Sequence, residues 1–254
     1  MSEWIYGRNP VFEVLRAGRR KLFQLHLASG VQEKEIVLKI LHLCEQRRVK
    51  VLRVARAKMD SLAPNHQGVM LEVGDYCYAS LEDMAELSQV RKESLFLLIL
   101  DAMQDPQNFG VLLRTAEAVG IHGVLLPLRH AVQITPAVVN ASSGACEHLL
   151  IGKMNLAQAL RKIKSLGTWV YGLESDPQAV RLDKTDLSGS IALVVGSEGQ
   201  GMRRLVREHC DQLVCLPMRG KVESLNAAVA GSIALYFAWS QKNFEDKVDG
   251  IKKY

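Results

Sequence analysis

Six consecutive apolar residues, Leu95 to Leu100, place the tightest constraint on the fold of this chain. A strand with one wet face alternates apolar and polar residues, so an unbroken run indicates a strand covered on both faces. Further strands are predicted at 123–126, 169–173, 191–195 and 213–216, and helices at 109–119, 157–166 and 224–241. This alternation predicts an α/β fold with a mainly parallel sheet between helices, whose ligands bind beyond the carboxyl ends of the strands.

The first 74 residues predict a separate, smaller α/β domain. Asn9 should cap a helix that has Pro10 as its first residue and stops at Gly18, because Pro suits the first turn of a helix and Gly suits its end. The other elements expected here are strands at 22–27, 49–54 and 69–73, a helix at 33–48 and a turn at 64–68.

A linker is predicted at 75–93, between that domain and a second one at 94–254. It should contain one short helix at 80–87, which begins with a capping box formed by Ser80 and Asp83. The polar stretch that follows this helix is where we expect the domain boundary.

Charge is unevenly distributed between the two predicted domains. Residues 1–74 contain 13 Lys and Arg against 7 Asp and Glu, whereas the whole chain has a net charge of only +5. A basic module on a near-neutral body is typical of proteins that bind a polyanion, although an ordinary solvated surface would have the same composition.

Several classes of protein are disfavoured by what the sequence lacks. No stretch approaches the roughly 20 apolar residues of a membrane-spanning helix, and the N-terminus has no basic-then-apolar signal pattern. We therefore expect a cytoplasmic protein with no membrane partner. The five cysteines form no CxxC pair, which argues against a zinc site and against a disulfide framework. We expect no metal, and thiols that are buried or unreactive.

Two segments at strand-to-helix junctions contain residues of chemical interest. The segment DPQNFGVLLRTA at 105–116 has Asn108 as a candidate helix cap and Arg114 among small or apolar neighbours. The segment VVGSEGQGM at 194–202 has three glycines that would let a ligand approach the backbone closely. It matches neither the Walker loop nor the GxGxxG dinucleotide pattern. Taken singly, the first segment is explained by an ordinary surface arginine and the second by a plain glycine turn.

A third segment, LPMRGKVESLNAAVA at 216–230, leaves a strand and enters the last helix near Ser224. Small residues open this helix and permit close packing of its backbone. Asn226 needs a hydrogen-bonding partner in such an apolar first turn. A tightly packed helix capped by Ser224 is the alternative interpretation.

In this order and spacing, the three segments resemble the signature motifs of the SpoU (also called TrmH) methyltransferases of the SPOUT superfamily. The resemblance covers residues 95–241 and includes NASSGA at 140–145. The segments IYGRNPV at 5–11 and HQG at 66–68 are similar to the family's N-terminal substrate-binding domain, whose fold resembles that of ribosomal protein L30e. Departures are small, such as Ala227 where the family often has Val.

The resemblance implies a SPOUT-type α/β knot, in which the parallel sheet is threaded into a deep trefoil knot that forms a pocket for S-adenosyl-L-methionine. The implied cofactor-binding residues are Gly196, Gly201, Leu216, Met218 and Leu225. The family also implies a homodimer, with the last helix and the knot region at the interface.

The resemblance further implies a catalytic role for Arg114, with Asn108, Glu198, Ser224 and Asn226 around it. Because arginine is nearly always protonated, we interpret Arg114 as the group that holds the adjacent phosphate and stabilises the developing alkoxide. Glu198 or Asn226 would orient the hydroxyl. Phosphate contacts are expected from basic residues of the N-terminal domain, namely Arg8, Arg19, Arg20, Lys21, Arg47 and Arg48.

The implied activity is methylation of the ribose 2′-hydroxyl of one guanosine in the peptidyl-transferase region of 23S ribosomal RNA. One alternative is a sister enzyme acting on transfer RNA or another ribosomal site. A second, of another class, is a non-catalytic RNA-binding factor of ribosome assembly, which the intact set of Asn108, Arg114, Glu198 and Asn226 disfavours. A nucleotide-dependent dehydrogenase is discarded because the glycine fingerprint is absent.

Overall fold

The computed structural model describes residues 2–63, 65–129, 132–242 and 244. Pro64 of the predicted turn and residues 245–254 of the predicted second domain lie outside this set. Within it the chain forms two sheets, one of four strands and one of seven. The division at residues 74 and 94 stays a prediction.

The four-stranded sheet belongs to the N-terminal part of the chain. Its elements are β1 (Ser2–Tyr6), α1 (Arg8–Ala17), β2 (Leu22–Ala28), α2 (Glu35–Gln46), β3 (Lys50–Val54), α3 (Arg56–Asp60) and β4 (Val69–Gly74). The strand order is β1-β4-β2-β3, with β4 antiparallel to both neighbours and β2 parallel to β3. α1 ends where the sequence predicts, because Gly18 adopts a left-handed conformation with φ +61°.

The seven-stranded sheet forms the second part of the chain, and all of its strand pairs are parallel. Its strands are β5 (Phe96–Leu100), β6 (Gly123–Pro127), β7 (Ile151–Met154), β8 (Trp169–Leu173), β9 (Val180–Arg181), β10 (Ile191–Val195) and β11 (Gln212–Cys215). Its helices are α4 (Leu81–Arg91), α5 (Pro106–Ala118), α6 (Pro136–Ala141), α7 (Leu156–Ser165), α8 (Arg204–Glu208) and α9 (Ala227–Gln241). The strand order is β7-β6-β5-β10-β8-β11-β9.

Helices cover both faces of this sheet, as the unbroken apolar run predicts. Along β5, Phe96, Leu98 and Leu100 point into a core shared with α5, α6 and α9. Leu97 and Ile99 point into the opposite core, shared with α4, α7 and α8. The predicted α/β fold with a mainly parallel sheet is confirmed, and its strands all carry their carboxyl ends to one edge.

Several helix boundaries differ from the sequence predictions. α1 begins at Arg8, after Gly7, so the prediction of Asn9 as its cap is wrong. α5 is capped by Asp105, which accepts from the backbone N–H groups of Gln107 and Asn108, so the prediction of Asn108 as the cap is wrong. α9 begins after Asn226, and the predicted start and cap at Ser224 are also wrong. The capping box of Ser80 and Asp83 is confirmed, but α4 continues to Arg91 through the polar stretch.

A buried ion pair connects the domain that contains the four-stranded sheet to the domain that contains the seven-stranded sheet. The Arg20 guanidinium donates to both carboxylate oxygens of Glu147, at 3.0 and 2.7 Å, and both side chains are at most 1% exposed. It also pairs with Glu3. Arg20 therefore has no surface to offer a phosphate, and its predicted RNA contact is wrong. The reason is that Arg20 satisfies the charge of a glutamate from the other domain.

Candidate active site

The carboxyl edge of the large sheet holds a cavity of about 530 Å³. The segments that follow β8, β10 and β11 surround it, together with the start of α9. Its lining includes Gly196, Glu198, Gly201, Leu216, Met218, Ser224, Leu225 and Asn226. The structure thus brings together all five predicted cofactor-binding residues and three of the predicted catalytic ones.

The glycine-rich segment folds back on itself after β10. Ser197 and Gly201 exchange two backbone hydrogen bonds, each 3.0 Å long. A Cβ on Gly196 would lie 2.5 Å from the backbone nitrogen of Met202, so only glycine allows this approach. Gly199 and Gly201 have φ values of +78° and +65°, where glycine carries no steric penalty. The glycines are therefore needed to fold the wall of the cavity.

A buried aspartate fixes the far end of this segment. Asp101 follows β5 directly and is fully buried. Its carboxylate accepts from the backbone N–H of Arg203 at 2.8 Å and from the Arg203 side chain at 2.7 Å. Asp101 and Arg203 were not among the predicted site residues. The signal was the acidic residue directly after the apolar run, since a carboxylate in that position needs a partner.

Three polar side chains from distant parts of the chain meet beside the cavity. The Asn108 side-chain amide donates to Glu198 Oε1 at 2.6 Å. The Asn226 amide donates to the same oxygen and to Asn108 Oδ1, the latter at 3.2 Å. We call Asn108, Glu198 and Asn226 the polar triad. Charge-assisted hydrogen bonds to an ionised carboxylate are the strongest of their kind, so this geometry holds Glu198 in one orientation.

Asn226 also caps the N-terminus of α9. Its Oδ1 accepts from the backbone N–H groups of Ala228 and Val229, at 2.9 and 3.2 Å. With two donors and one carbonyl oxygen all engaged, its side chain has no remaining donor for a substrate. Close packing of α9 on α5 supports this arrangement, because a Cβ on Gly231 would lie 3.0 Å from Leu112.

The triad does not include Arg114, which is exposed on α5. Arg114 lies six positions after Asn108, which places it about 9 Å farther along the helix and on another side. Its Nη1 lies 3.5 Å from Ser143 Oγ, in the turn after α6. The structure therefore places the predicted catalytic arginine beside the predicted site but not in contact with the triad.

The predicted RNA-binding residues of the N-terminal part divide by exposure. Lys21, Arg47 and Arg48 are exposed. Arg8 is half-buried, and its Nε donates to Gln67 O at 3.3 Å. Arg19 reaches across to the second domain, where it donates to the carbonyl oxygens of Glu147 and Leu149. Its contacts link the two domains, whereas the three exposed residues remain accessible to a phosphate.

Three further properties concern metals, membranes and thiols. Among the described residues, no cluster of His, Cys, Asp or Glu could hold a metal ion, and no helix has the length and hydropathy to cross a membrane. All five cysteines are free thiols. Burial raises the pKa of Cys44 to about 11 and those of Cys146 and Cys210 to about 12.

Comparison with known proteins gives consistent matches over almost the whole chain. Residues 95–236 match the family described as SpoU rRNA Methylase, and residues 4–79 match RNA 2′-O ribose methyltransferase substrate binding. YacO of Bacillus subtilis, named as a TrmH family tRNA/rRNA methyltransferase, is 40% identical over 245 residues, or 95% of this chain and 96% of YacO.

Solved structures share the fold. The SpoU methyltransferase AviRb from Streptomyces viridochromogenes, solved with AdoMet, has a TM-score of 0.80 and 21% identity, and the match covers 95% of this chain and 91% of AviRb. An AdoMet-bound rRNA methyltransferase from Sinorhizobium meliloti has a TM-score of 0.76 and 23% identity, with 93% and 86% coverage. The TrmH/SpoU tRNA modifying enzyme of A. aeolicus has a TM-score of 0.54 and 25% identity, and the match covers only 65% of this chain and 86% of that enzyme.

Proposed function

This chain belongs to the SpoU rRNA methylase family, and we propose that it methylates one guanosine ribose in the peptidyl-transferase region of 23S ribosomal RNA. As a member of the family it is an S-adenosylmethionine-dependent RNA 2′-O-methyltransferase with the SPOUT-type knotted fold. The presence of the N-terminal domain is the observation that favours ribosomal RNA over transfer RNA as the substrate. The match to an rRNA methyltransferase covers 93% of this chain and so includes this domain, whereas the match to a tRNA-modifying enzyme covers 65% of the chain.

The cavity fits S-adenosylmethionine in size and in chemistry. Its volume lies within the range of about 300–1,000 Å³ that is typical of pockets for cofactor-sized ligands. Apolar side chains of Leu173, Leu216 and Leu225 offer surfaces for an adenine ring, and the segment that folds back at Gly196 forms one wall of the cavity. When bound, the cofactor supplies a sulfonium methyl group that an oxygen nucleophile can attack.

Glu198 is the triad member that we assign to the ribose hydroxyl. Asn226 has all its hydrogen-bonding groups engaged by the triad and the α9 cap. Asn108 donates to Glu198 and accepts from Asn226. The Glu198 carboxylate has acceptor capacity beyond these two bonds, so it can accept the hydroxyl proton and aim the oxygen. Of the two residues that the sequence offers for orienting the hydroxyl, Glu198 and Asn226, this argument favours Glu198.

Arg114 acts on the RNA rather than on Glu198 in this proposal. Its exposed guanidinium can donate two parallel hydrogen bonds to the phosphate next to the reacting ribose. A fixed positive charge there also stabilises the oxygen as negative charge develops on it. Lys21, Arg47 and Arg48 hold more distant phosphates and position the RNA.

An exposed apolar face supports the proposal that the protein is a homodimer. Val229, Ile233 and Tyr236 recur at helical spacing along α9, and Val111 lies on the adjacent α5; each is 44–46% exposed. Burial of this face by a second copy would remove it from water. We expect Ile233→Asp to give a monomer in light scattering. Leu166→Asp, at a residue with 49% exposure elsewhere, should leave the dimer intact.

Mapping of 2′-O-methyl groups across total RNA, with and without the gene, tests the substrate. The expected result is the loss of one guanosine mark in 23S RNA, restored by the wild-type gene and not by Glu198→Gln. Loss of a 2′-O-methyl group from transfer RNA instead would show that the substrate is transfer RNA and not ribosomal RNA. An unchanged map would contradict the methyltransferase activity and favour the assembly factor.

A further inference from the structure

Ser143 occupies a backbone conformation that favours glycine. It follows α6 with a φ of +54°, in the left-handed region where a Cβ is strained. The backbone N–H of Gly144 donates to Val139 O at 2.7 Å, which gives the hydrogen-bond pattern of a helix that ends in a left-handed residue. Glycine is the usual residue at that position, so the serine there calls for a reason.

The reason lies in the Ser143 hydroxyl. Ser143 Oγ is 3.5 Å from Arg114 Nη1, and it is the acceptor that the structure gives for this guanidinium among the described residues. An alanine or glycine at 143 would leave the Arg114 side chain without this contact. Long, exposed arginine side chains have many rotamers, and an acceptor restricts them before the RNA arrives.

The backbone around Ser143 is held from both sides. A Cβ on Gly110 of α5 would lie 2.7 Å from the carbonyl carbon of Ala141, so α5 and the end of α6 are in direct contact. On the other side, a Cβ on Gly144 would lie 2.5 Å from Glu13 Cβ of the N-terminal domain. The buried pair of Arg20 and Glu147 fixes the same segment four residues later. The hydroxyl thus has a defined place relative to both domains.

We propose that Ser143 is a positioning residue for Arg114: its hydroxyl selects the guanidinium orientation that receives the RNA phosphate. This inference rests on the proposed function, in which Arg114 contacts the phosphate next to the reacting ribose. Ser143 itself does not touch the RNA. The strained backbone is retained because a glycine would relieve the strain but remove the acceptor.

Two substitutions at this position distinguish the effect of the Ser143 hydroxyl from the effect of the strained backbone. Ser143→Gly removes the hydroxyl and relieves the left-handed strain, so Tm should stay the same or rise. Ser143→Asn keeps a residue that tolerates this conformation and supplies a carbonyl acceptor. Lys92→Gly is the matched control, because Lys92 also has a left-handed φ of +55° but lies at the end of α4, on the opposite side of the sheet.

Methyl transfer to a 23S RNA fragment should then fall about tenfold in kcat for Ser143→Gly, as expected for loss of one hydrogen bond to a charged group. The KM for S-adenosylmethionine should not change. Ser143→Asn should retain kcat within about threefold of wild type, and Lys92→Gly should match wild type. An unchanged kcat in Ser143→Gly would overturn the inference. So would a higher KM for RNA at constant kcat, which would mean that Ser143 contacts the RNA.

A measurement on the free protein separates this inference from the proposed function. In ¹⁵N-arginine-labelled protein, the side-chain signal of Arg114, assigned by its loss in Arg114→Lys, should show less order in Ser143→Gly than in wild type or Ser143→Asn. Equal order in all three would refute the positioning role even if no RNA substrate were found. A wild-type protein that fails to methylate any RNA would refute the proposed function alone.

Discussion

The carboxylate of Glu198 accepts a hydrogen bond of 2.6 Å from the side-chain amide of Asn108, although 90 positions separate the two residues in the chain. This bond joins the first turn of α5 to the glycine-rich wall of the cofactor cavity. It therefore links the helix that carries Arg114 to the residue that we assign to the ribose hydroxyl.

Glu198→Gln should lower kcat by roughly 10²-fold, because the neutral amide cannot accept the hydroxyl proton. Binding of S-adenosylmethionine should persist, since the side chain keeps its size. Transfer of radiolabelled methyl groups to RNA and calorimetry would measure the two effects. Glu208→Gln, on exposed α8, is the control. A Glu198→Gln enzyme with normal kcat would contradict the assigned role.

Asn226→Ser should separate the helix cap from the triad. Serine caps helices about as well as asparagine, so the free energy of unfolding should stay near that of wild type. The amide that holds Glu198 and Asn108 is lost, and kcat should fall about tenfold for the loss of charge-assisted bonds. Asn226→Ala should lose the cap as well, at a cost of about 1 kcal/mol in denaturant unfolding. Equal stability of the two variants would show that the cap contributes nothing.

Gly196→Ala should weaken S-adenosylmethionine binding by at least about tenfold, because the displaced cavity wall forfeits close contacts. The added Cβ would lie 2.5 Å from the backbone nitrogen of Met202, and one of the two segments must move. Gly189→Ala serves as the comparison, since a Cβ there meets no atom within 4 Å. Calorimetric titration should detect the difference, and identical affinities would rule out a role for Gly196 at the cofactor.

Glu147→Ala should destabilise the protein by about 3–5 kcal/mol, because it leaves the buried Arg20 guanidinium without its main partner. Burial acts to lower the pKa of Arg20, but Glu147 and Glu3 outweigh it and raise that pKa, which keeps the buried group charged. The double variant Arg20→Met, Glu147→Leu should be less destabilised. Glu35→Ala, which breaks the exposed pair with Lys39, should cost far less than Glu147→Ala, because solvent screens the pair. Urea unfolding would rank the three.

Cys77 should react with iodoacetamide before any buried thiol. It is exposed, whereas burial raises the pKa of Cys44 to about 11 and that of Cys146 to about 12. At pH 8 these buried thiols are almost entirely protonated, and the thiolate is the reactive form. Mass spectrometry of a time course should find the first adduct on Cys77. The variant Cys77→Ser should delay labelling, and rapid modification of Cys44 would reveal local opening of the N-terminal core.

Much of the second domain could be predicted because its signals are local. The run from Leu95 to Leu100 predicts a doubly covered strand, and the structure places its alternate residues in two cores. In the predicted linker, the capping box of Ser80 and Asp83 could be predicted for the same reason. β1 and β7 were missed because a strand of four or five residues with mixed polarity has no clear period.

The roles of charged residues could not be predicted so well, since they depend on partners far along the chain. Arg20 is one of three consecutive basic residues and suggests a phosphate site. Only the fold shows that Glu147 meets it, 127 positions away. The polar triad is another case, because its members were grouped by family resemblance and no local pattern implies that they touch. The knot is similarly invisible in any short stretch of sequence.

The dependence of the cavity on α9 has a consequence for synthesis on the ribosome. Asn226 and the segment before it complete the wall of the cavity, and they are held by a helix that ends at Gln241. The N-terminal sheet is complete at Gly74 and can fold while the rest is still being translated. Under the proposed function, the growing polypeptide gains the surface that we assign to RNA before the cavity that we assign to the methyl donor. An unfinished chain would then dock on RNA without being able to modify it.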